Sequence, residues 1–543
     1  MSGADGLMSE VLVVGAGPVG LMAAGELARR GIAVRVVDRE TTRDSLSKAL
    51  VVHARTLEIM DLGGISDEFV KRGYPAPGLD VSLQRRGRPV SVNLRTLDTR
   101  FPYMLVLPQR QTEEILAERL SSYGVTVERG SEVVALEQHP DHVVAAVRAK
   151  DGREERIRAR YLIGCDGAHS TVRRLLDLPF EGKQLDSLVL IGDVKADVDL
   201  VRSRITNLTS SRGFVSLLPF LGDHVRVFAV DFSRQNHTRN DALTLEELQE
   251  TVNAIAPSKI TLTDPSWLTR YVAPSRQVRR IRVDRFFLAG DATHAHSPAA
   301  GQGMNMGLQD AANLSWKLAM VLRSQAPTRL LDTYDLERHA VHTSVRHGTD
   351  QMFRAFTLTN PALQLARGIL TRTVVTRAPV QRRLAGRLSG ISINYRHAHL
   401  GERRRRAALQ PGDRVPDADL WIAHRASIRL YELLRDPGYG LFVFATADRL
   451  AADRRHIAGL IAGVTQTYGP AVRPHLVVDE GVIDPAEMGA PVYVDVAGDF
   501  ARKLGARHAS VFLLRPDGYL AAHHTGLAPD QAVAALAPWC LQR

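Results

Sequence analysis

VLVVGAGPVG, residues 11–20, runs directly into LMAAGELARRG (21–31) and IAVRVVDR (32–39). The order reads as strand, tight glycine turn, helix with apolar residues at helical spacing, and second strand, which is one βαβ unit. Gly15, Gly17 and Gly20 form GxGxxG at the strand-to-helix junction. That spacing lets the backbone approach a pyrophosphate while the helix start supplies unpaired N–H donors and positive partial charge. Asp38 stands at the end of the next strand, about twenty residues on, where a carboxylate accepts from ribose hydroxyls. A glycine turn serving helix packing alone is the competing reading. The acid in the right place favours an ADP-containing cofactor.

Around this unit lies a chain of 543 residues, 45% hydrophobic and 24% charged, enough apolar material for two or three packed domains. Seventy basic residues against 59 acidic ones give a net charge of +11, and only eight of the 70 are lysine. The charge is spread thinly outside one short tract, Arg403 to Arg406, which is read as a solvated linker beside Pro411, Gly412 and Pro416. Nucleic-acid binding is therefore not expected. Cys165 and Cys540 lie far apart, so neither a disulfide framework nor a thiolate zinc site is expected, and a reducing cytoplasm is the natural compartment. MSGADGLMSE carries no basic signal region, and no stretch reaches the ~18 apolar residues of a membrane span.

Further short apolar strands occur at RARYLIGCDGA and RFFLAGDA, each more than a hundred residues from the first. Material between them alternates in period two, as in VSLQRRGRPVSVNL and GFVSLLPFLGDHVRVFAVDF, the pattern of an antiparallel sheet with one wet face. The fold class expected is α/β. Residues 1–73, 108–179 and 281–400 make a discontinuous nucleotide-binding domain with a helical extension, 74–107 and 180–280 an inserted substrate-covering sheet, and 412–543 a small α/β unit.

Three other stretches carry chemistry. CDGAHSTVR (165–173) sets Asp166-Gly167 at a strand end. FFLAGDATHAHSP (286–298) sets Gly290 and Asp291 at another, where a carboxylate can accept from a polyol chain. AAGQGMNMGLQDA then feeds a glycine-rich loop at 301–303 into a helix whose first N–H groups would face a docked anion.

GAGPVG with Asp38, HARTLE (53–58), PQRQTEEIL (108–116), CDGAHSTVR and GDATHAHSPAAGQGMNMGLQDAANLSWKL together resemble the class A flavoprotein aromatic hydroxylases of the para-hydroxybenzoate hydroxylase type, over roughly residues 9 to 350. The resemblance implies a Rossmann-like FAD-binding domain, an inserted antiparallel substrate domain, and a C-terminal thioredoxin-like domain as in phenol and polyketide hydroxylases. That last unit lacks CxxC, which points to packing or dimerisation instead of redox work. By the same resemblance Gly15, Gly17, Gly20 and Asp38 hold the ADP half of FAD, and Arg55 and Gln109 lie near its pyrophosphate and ribityl region. Asp166 and Arg173 form the DG fingerprint, Gly290 and Asp291 the GD fingerprint, and Gly301, Gly303, Met304 and Asn305 line the flavin's pyrimidine edge. Pro298 presents a carbonyl beside the substrate. Asp38 stands where glutamate is commoner, and Lys48 where arginine is usual, losing a bidentate fork.

The implied activity is hydroxylation of an aromatic or polycyclic phenol, a polyketide intermediate or antibiotic, with NADPH or NADH and O2, through a flavin C4a-hydroperoxide. Baeyer–Villiger oxygenation of a polycyclic ketone and non-catalytic ligand sequestration are the alternatives, and a homodimer is the family habit. Phe214, Leu217, Leu218 and Phe220 are candidates for the substrate pocket, although a hydrophobic core explains them equally well. His294, in the HxH pair with His296, is the candidate base. No metal is expected there, because no third ligand cluster accompanies the pair. Cys165 is read as a small apolar residue.

Overall fold

A computed structural model describes residues 9–43, 49–82, 89–197, 204–220, 222–233, 241–295, 301–356, 360–398, 409–422, 426–481, 484–525 and 537–541. The apolar run before the first glycine forms the strand Ser9–Val14, with Val11, Leu12 and Val13 fully buried, as a strand covered on both faces requires. Pro18 starts the following helix, Pro18–Arg29, where its fixed φ suits the first turn and its missing N–H costs nothing.

Ser9–Val14 lies between Val34–Asp38 and Glu154–Gly164, parallel to both, and Glu154–Gly164 is in turn parallel to Phe286–Leu288. The registers align Val14 with Gly164 and Gly164 with Leu288. Three segments more than a hundred residues apart therefore end side by side, and the turns after them open at one edge of the sheet. Ligands of open parallel sheets bind outside that carboxyl edge.

A second eight-stranded sheet is almost wholly antiparallel. Its order runs His294–Ala295, Leu262–Val278, Phe180–Ala196, His224–Asp231, Gly213–Pro219, Ile205–Thr209, Gly78–Ser82, Val90–Asn93. The first of these follows the Gly290 turn directly, so that turn stitches the two sheets together. The helix Leu245–Ile255 covers one face through Leu248, Val252 and Ile255, packed on Leu190, Leu217 and Val227.

The C-terminal unit has a seven-stranded mixed sheet in which Tyr439–Ala445 lies between Val472–Val478, parallel to it, and Ala509–Leu514, antiparallel to it. It docks on the parallel-sheet domain through buried charge. Arg55 of the helix Ala54–Leu62 donates to the Asp517 carbonyl at 2.6 Å and lies over the Tyr519 ring. Glu58 pairs with Arg414, and Asp61 with Arg429 and Arg435. Arg515 bridges Glu337 and Asp517, and Lys317 also pairs with Glu337. Among the described residues no helix is long and apolar enough to cross a membrane.

Candidate active site

At the common carboxyl edge the glycine turn is pressed against the next strand. A Cβ on Gly15, at φ +102°, would lie 2.5 Å from the Cys165 carbonyl oxygen, and one on Gly20 would lie 1.8 Å from the Gly15 carbonyl. Gly17 differs: a Cβ there would meet nothing within 4 Å, so the start of Pro18–Arg29 faces open space. That helix has no side-chain cap and no acid in its first turn. Asp38 closes the turn from the side, accepting from the Ala16 N–H at 2.5 Å and the Glu40 N–H at 2.8 Å.

Asp166 accepts from Ser170 Oγ at 2.5 Å and from the Thr171 and Val172 N–H groups at 2.7 and 3.0 Å, so its carboxylate caps the short helix Thr171–Leu175. Arg173 donates to the Ala292 carbonyl at 3.1 Å and the Ala168 carbonyl at 2.9 Å, with its guanidinium 4.1 Å from the centre of the Phe180 ring. It thereby ties the turn after Gly164 to the turn after Leu288. In that second turn Gly290, at φ +64°, fits against Val19, while Asp291 is exposed.

Gly303 begins the helix Gly303–Leu322, which again has neither a side-chain cap nor an acid in its first turn. Gly301 takes φ +59° against Val51, and Met304 is half-buried. The Asn305 side chain faces inward: it donates to the Val51 and Gly301 carbonyls at 2.7 and 2.8 Å and accepts from the His53 N–H at 2.8 Å. Only its backbone is left for a ligand edge, so the side chain's work is to hold the loop.

These features fit a dinucleotide carrying a planar ring system. Two uncapped helix starts, an open cradle at Gly17 and an exposed carboxylate at Asp291 are gathered at one sheet edge, where N–H dipoles suit a pyrophosphate and Asp291 suits hydroxyls.

Other expectations are corrected. Arg55 does not reach this edge: it is fully buried, with Glu58 at 2.8 Å and the C-terminal unit as partners. A guanidinium adjacent in sequence to a binding loop was instead used to satisfy a domain interface. Gln109 accepts from the Ala49 N–H at 3.1 Å, while its Nε2 donates to Glu113 at 2.9 Å within its own helix, so only the oxygen end of the amide holds the neighbouring chain. Lys48, His296 and Pro298 lie outside the described residues.

His294 is not poised as a base toward a substrate. It is 1% exposed, its Nε2 is 3.2 Å from Asp310 Oδ2, and its ring lies 4.1 Å from that of His342. Asp310 also accepts from Arg338 at 2.7 Å, meets His342 Nε2 at 2.7 Å and accepts from the Gly290 N–H at 3.1 Å. Burial raises the Asp310 carboxyl, but the surrounding His342, Arg338 and His294 hold it well below the usual range. Burial drives His342 down to about 3, so it sits there neutral. A third possible ligand thus does accompany His294, against the sequence expectation. The Arg338 cation already neutralises the shared carboxylate, which makes the cluster a brace between the Gly290 turn and the helix from Gly303. Sequence reading missed Asp310, Arg338 and His342; the signal was the i, i+4 pair Arg338/His342 and the single acid, Asp310, of the helix Gly303–Leu322.

Cys165 is buried, and burial with Asp166 nearby raises its thiol well above the usual range, which leaves it inert. Of the pocket candidates, Phe214 and Leu218 share the sheet face turned away from helix Leu245–Ile255, whereas Leu217 belongs to the core beneath that helix. Phe214 packs edge-on to Phe353, and Leu218 clusters with Val51, Phe220 and Phe228. Since Val51 touches Gly301, this face abuts the loop that opens the helix from Gly303.

A parallel-sheet nucleotide fold, a second sheet closing over its edge, and two helix starts converging there define a Rossmann-type flavoprotein with a substrate-covering layer. Residues 8–349 match the FAD binding domain family, and the chain belongs to it. It is 34% identical to pentachlorophenol 4-monooxygenase of Sphingobium chlorophenolicum, covering 94% of this chain and 93% of that protein. To 6-methylpretetramide 4-monooxygenase of Streptomyces rimosus it is 35% identical over 96% of this chain and 91% of the other. The structure of anhydrotetracycline hydroxylase from Streptomyces rimosus aligns with a TM-score of 0.75 at 31% identity, over 98% and 99% of the two chains. The protein is an FAD-dependent monooxygenase of the aromatic hydroxylase type, as the motifs implied.

Proposed function

We propose that the chain transfers one oxygen atom from O2 to an electron-rich ring of a polycyclic phenol of polyketide type, with NADPH or NADH as reductant. FAD, when bound, supplies electron transfer from the nicotinamide and the activation of oxygen. The chain's own part is to bind, orient and keep the site dry. Gly15, Gly17, Gly20 and Asp38 would hold the ADP half, and Asp291 the polyol. N–H groups at the start of Gly303–Leu322 would stabilise negative charge at the ring's pyrimidine edge, an effect that grows as water is excluded.

One observation carries the substrate reading: on the sheet face that abuts the Gly301 loop, the aromatic side chains of Phe228, Trp267 and Tyr271 are half-buried over the packed Phe214 and Leu218, a surface for flat aromatic rings. Relatives named for pentachlorophenol, 6-methylpretetramide and anhydrotetracycline support it.

The test starts from purified protein whose released flavin is identified as FAD. A panel of simple and fused-ring phenols is screened for compounds that accelerate NADPH oxidation, with equal oxygen uptake and a product heavier by one oxygen atom. The fused-ring phenols are expected to be the effective ones. Stimulated oxidation that yields only hydrogen peroxide across the whole panel would defeat the proposal.

A further inference from the structure

Cross-strand pairing sets three rows of side chains across the inner face of the second sheet. One row contains Tyr271, Val189, Val230, Phe214 and Thr209; another contains Trp267, Asp193, Arg226 and Leu218. Between them runs Thr269, Ile191, Phe228, Ser216 and Asn207. The flanking rows are shut near Gly213–Pro219: Phe214 is 9% exposed beneath Phe353, and Leu218 is 6% exposed beneath Val51 and its neighbours. Phe228, Ser216 and Asn207 in the middle row remain half-buried. The opening of this face therefore lies over those three residues.

The polar groups here are unequal. Arg226 and Asp193 satisfy each other at 2.6 and 2.7 Å, and the guanidinium also lies 5.0 Å from the Trp267 ring centre, so this pair presents no net charge. Asn207 uses its Oδ1 to accept from Ser216 Oγ at 2.5 Å, while its Nδ2 makes no hydrogen bond with another described residue. The serine engages one end of the amide and, with the oxygen accepting, leaves the Nδ2 donor over beside the Phe228 ring. An aromatic ligand without an oxygen at this point would strip water from that donor and return nothing.

We propose that the Asn207–Ser216 pair determines which aromatic substrates are accepted and how they lie. Asn207 Nδ2 donates to an oxygen substituent of the ring system, Ser216 fixes the amide, and Phe228 packs against the ring. This assignment rests on reading the inner face as the substrate wall.

The experiment titrates the FAD-loaded full chain with 1-naphthol and with 1-methylnaphthalene, which has a methyl group in place of the hydroxyl, following the flavin absorption spectrum. The wild type is expected to prefer 1-naphthol by roughly tenfold or more, the value of one directional hydrogen bond. Asn207→Leu, and the more conservative Ser216→Ala that frees the amide to rotate, should bring the ratio toward one by weakening 1-naphthol binding alone. Flavin content serves as the folding control. A preference that survives in both variants overturns the proposal and leaves the substrate wall standing. If neither compound perturbs the flavin of the wild type, the wall reading itself fails and the proposal falls with it.

Discussion

Gly20 shows how little freedom the nucleotide turn has. A methyl group there would lie 1.8 Å from the Gly15 carbonyl, and backbone on both sides must move. Gly20→Ala is expected to cost at least the roughly 1–3 kcal/mol of overpacking and to yield protein depleted in flavin, read from the absorbance of the purified chain and its Tm. Asp310 stands at the other extreme, a single carboxylate serving Arg338, His294, His342 and the Gly290 N–H. Asp310→Asn strands the buried Arg338 and should destabilise by about 3–5 kcal/mol in denaturant unfolding, whereas a chelator should leave the wild-type Tm unchanged. His475, buried against Phe442 in the C-terminal unit, has no partner for either ring nitrogen among the described residues. Burial, with Arg473 adding to it, pushes it down to about 4 from 6.5. The unfolded chain then binds more protons between those values, so stability is full above about pH 6.5 and falls as pH drops toward 4. His475→Phe should flatten that acid limb in Tm-against-pH profiles.

The three motif-bearing strands were legible because each ends in glycine or Asp-Gly chemistry that reports a special backbone. Their adjacency followed from the resemblance and is realised in the aligned registers of Val14, Gly164 and Leu288. Side-chain direction was not legible. Arg55, Gln109 and Asn305 stand next to the right loops and turn inward, because a helix start or hairpin must first satisfy its own amides and carbonyls. The strand Gly213–Pro219 turns Phe214 and Leu218 to one face and Leu217 to the other, a split that the candidate set Phe214, Leu217, Leu218 and Phe220 did not make, because alternation alone does not say which face meets the helix. Asp291, at the tip of the turn joining the two sheets, is exposed and can be removed without opening a cavity. Asp291→Ala is expected to weaken FAD retention on dilution or gel filtration; unchanged occupancy would take the residue out of the site.

At the scale of the whole molecule, the C-terminal unit is held by charge that composition alone assigns to the surface. Glu337 and Asp517 are buried and both answered by Arg515. Arg515→Ala leaves two acids without that cation and is expected to cost about 3–5 kcal/mol, lowering the Tm of the chain. None of this could be seen in the sequence, since the partners lie as far apart as Arg55 and Asp517, 462 positions. Such a seam links stretches of chain more than four hundred residues apart. Exchanging everything after residue 408 for the matching portion of a relative would pair one lineage's arginines with another lineage's acids, so a working hybrid must carry the helix Ala54–Leu62 along with the tail it grips.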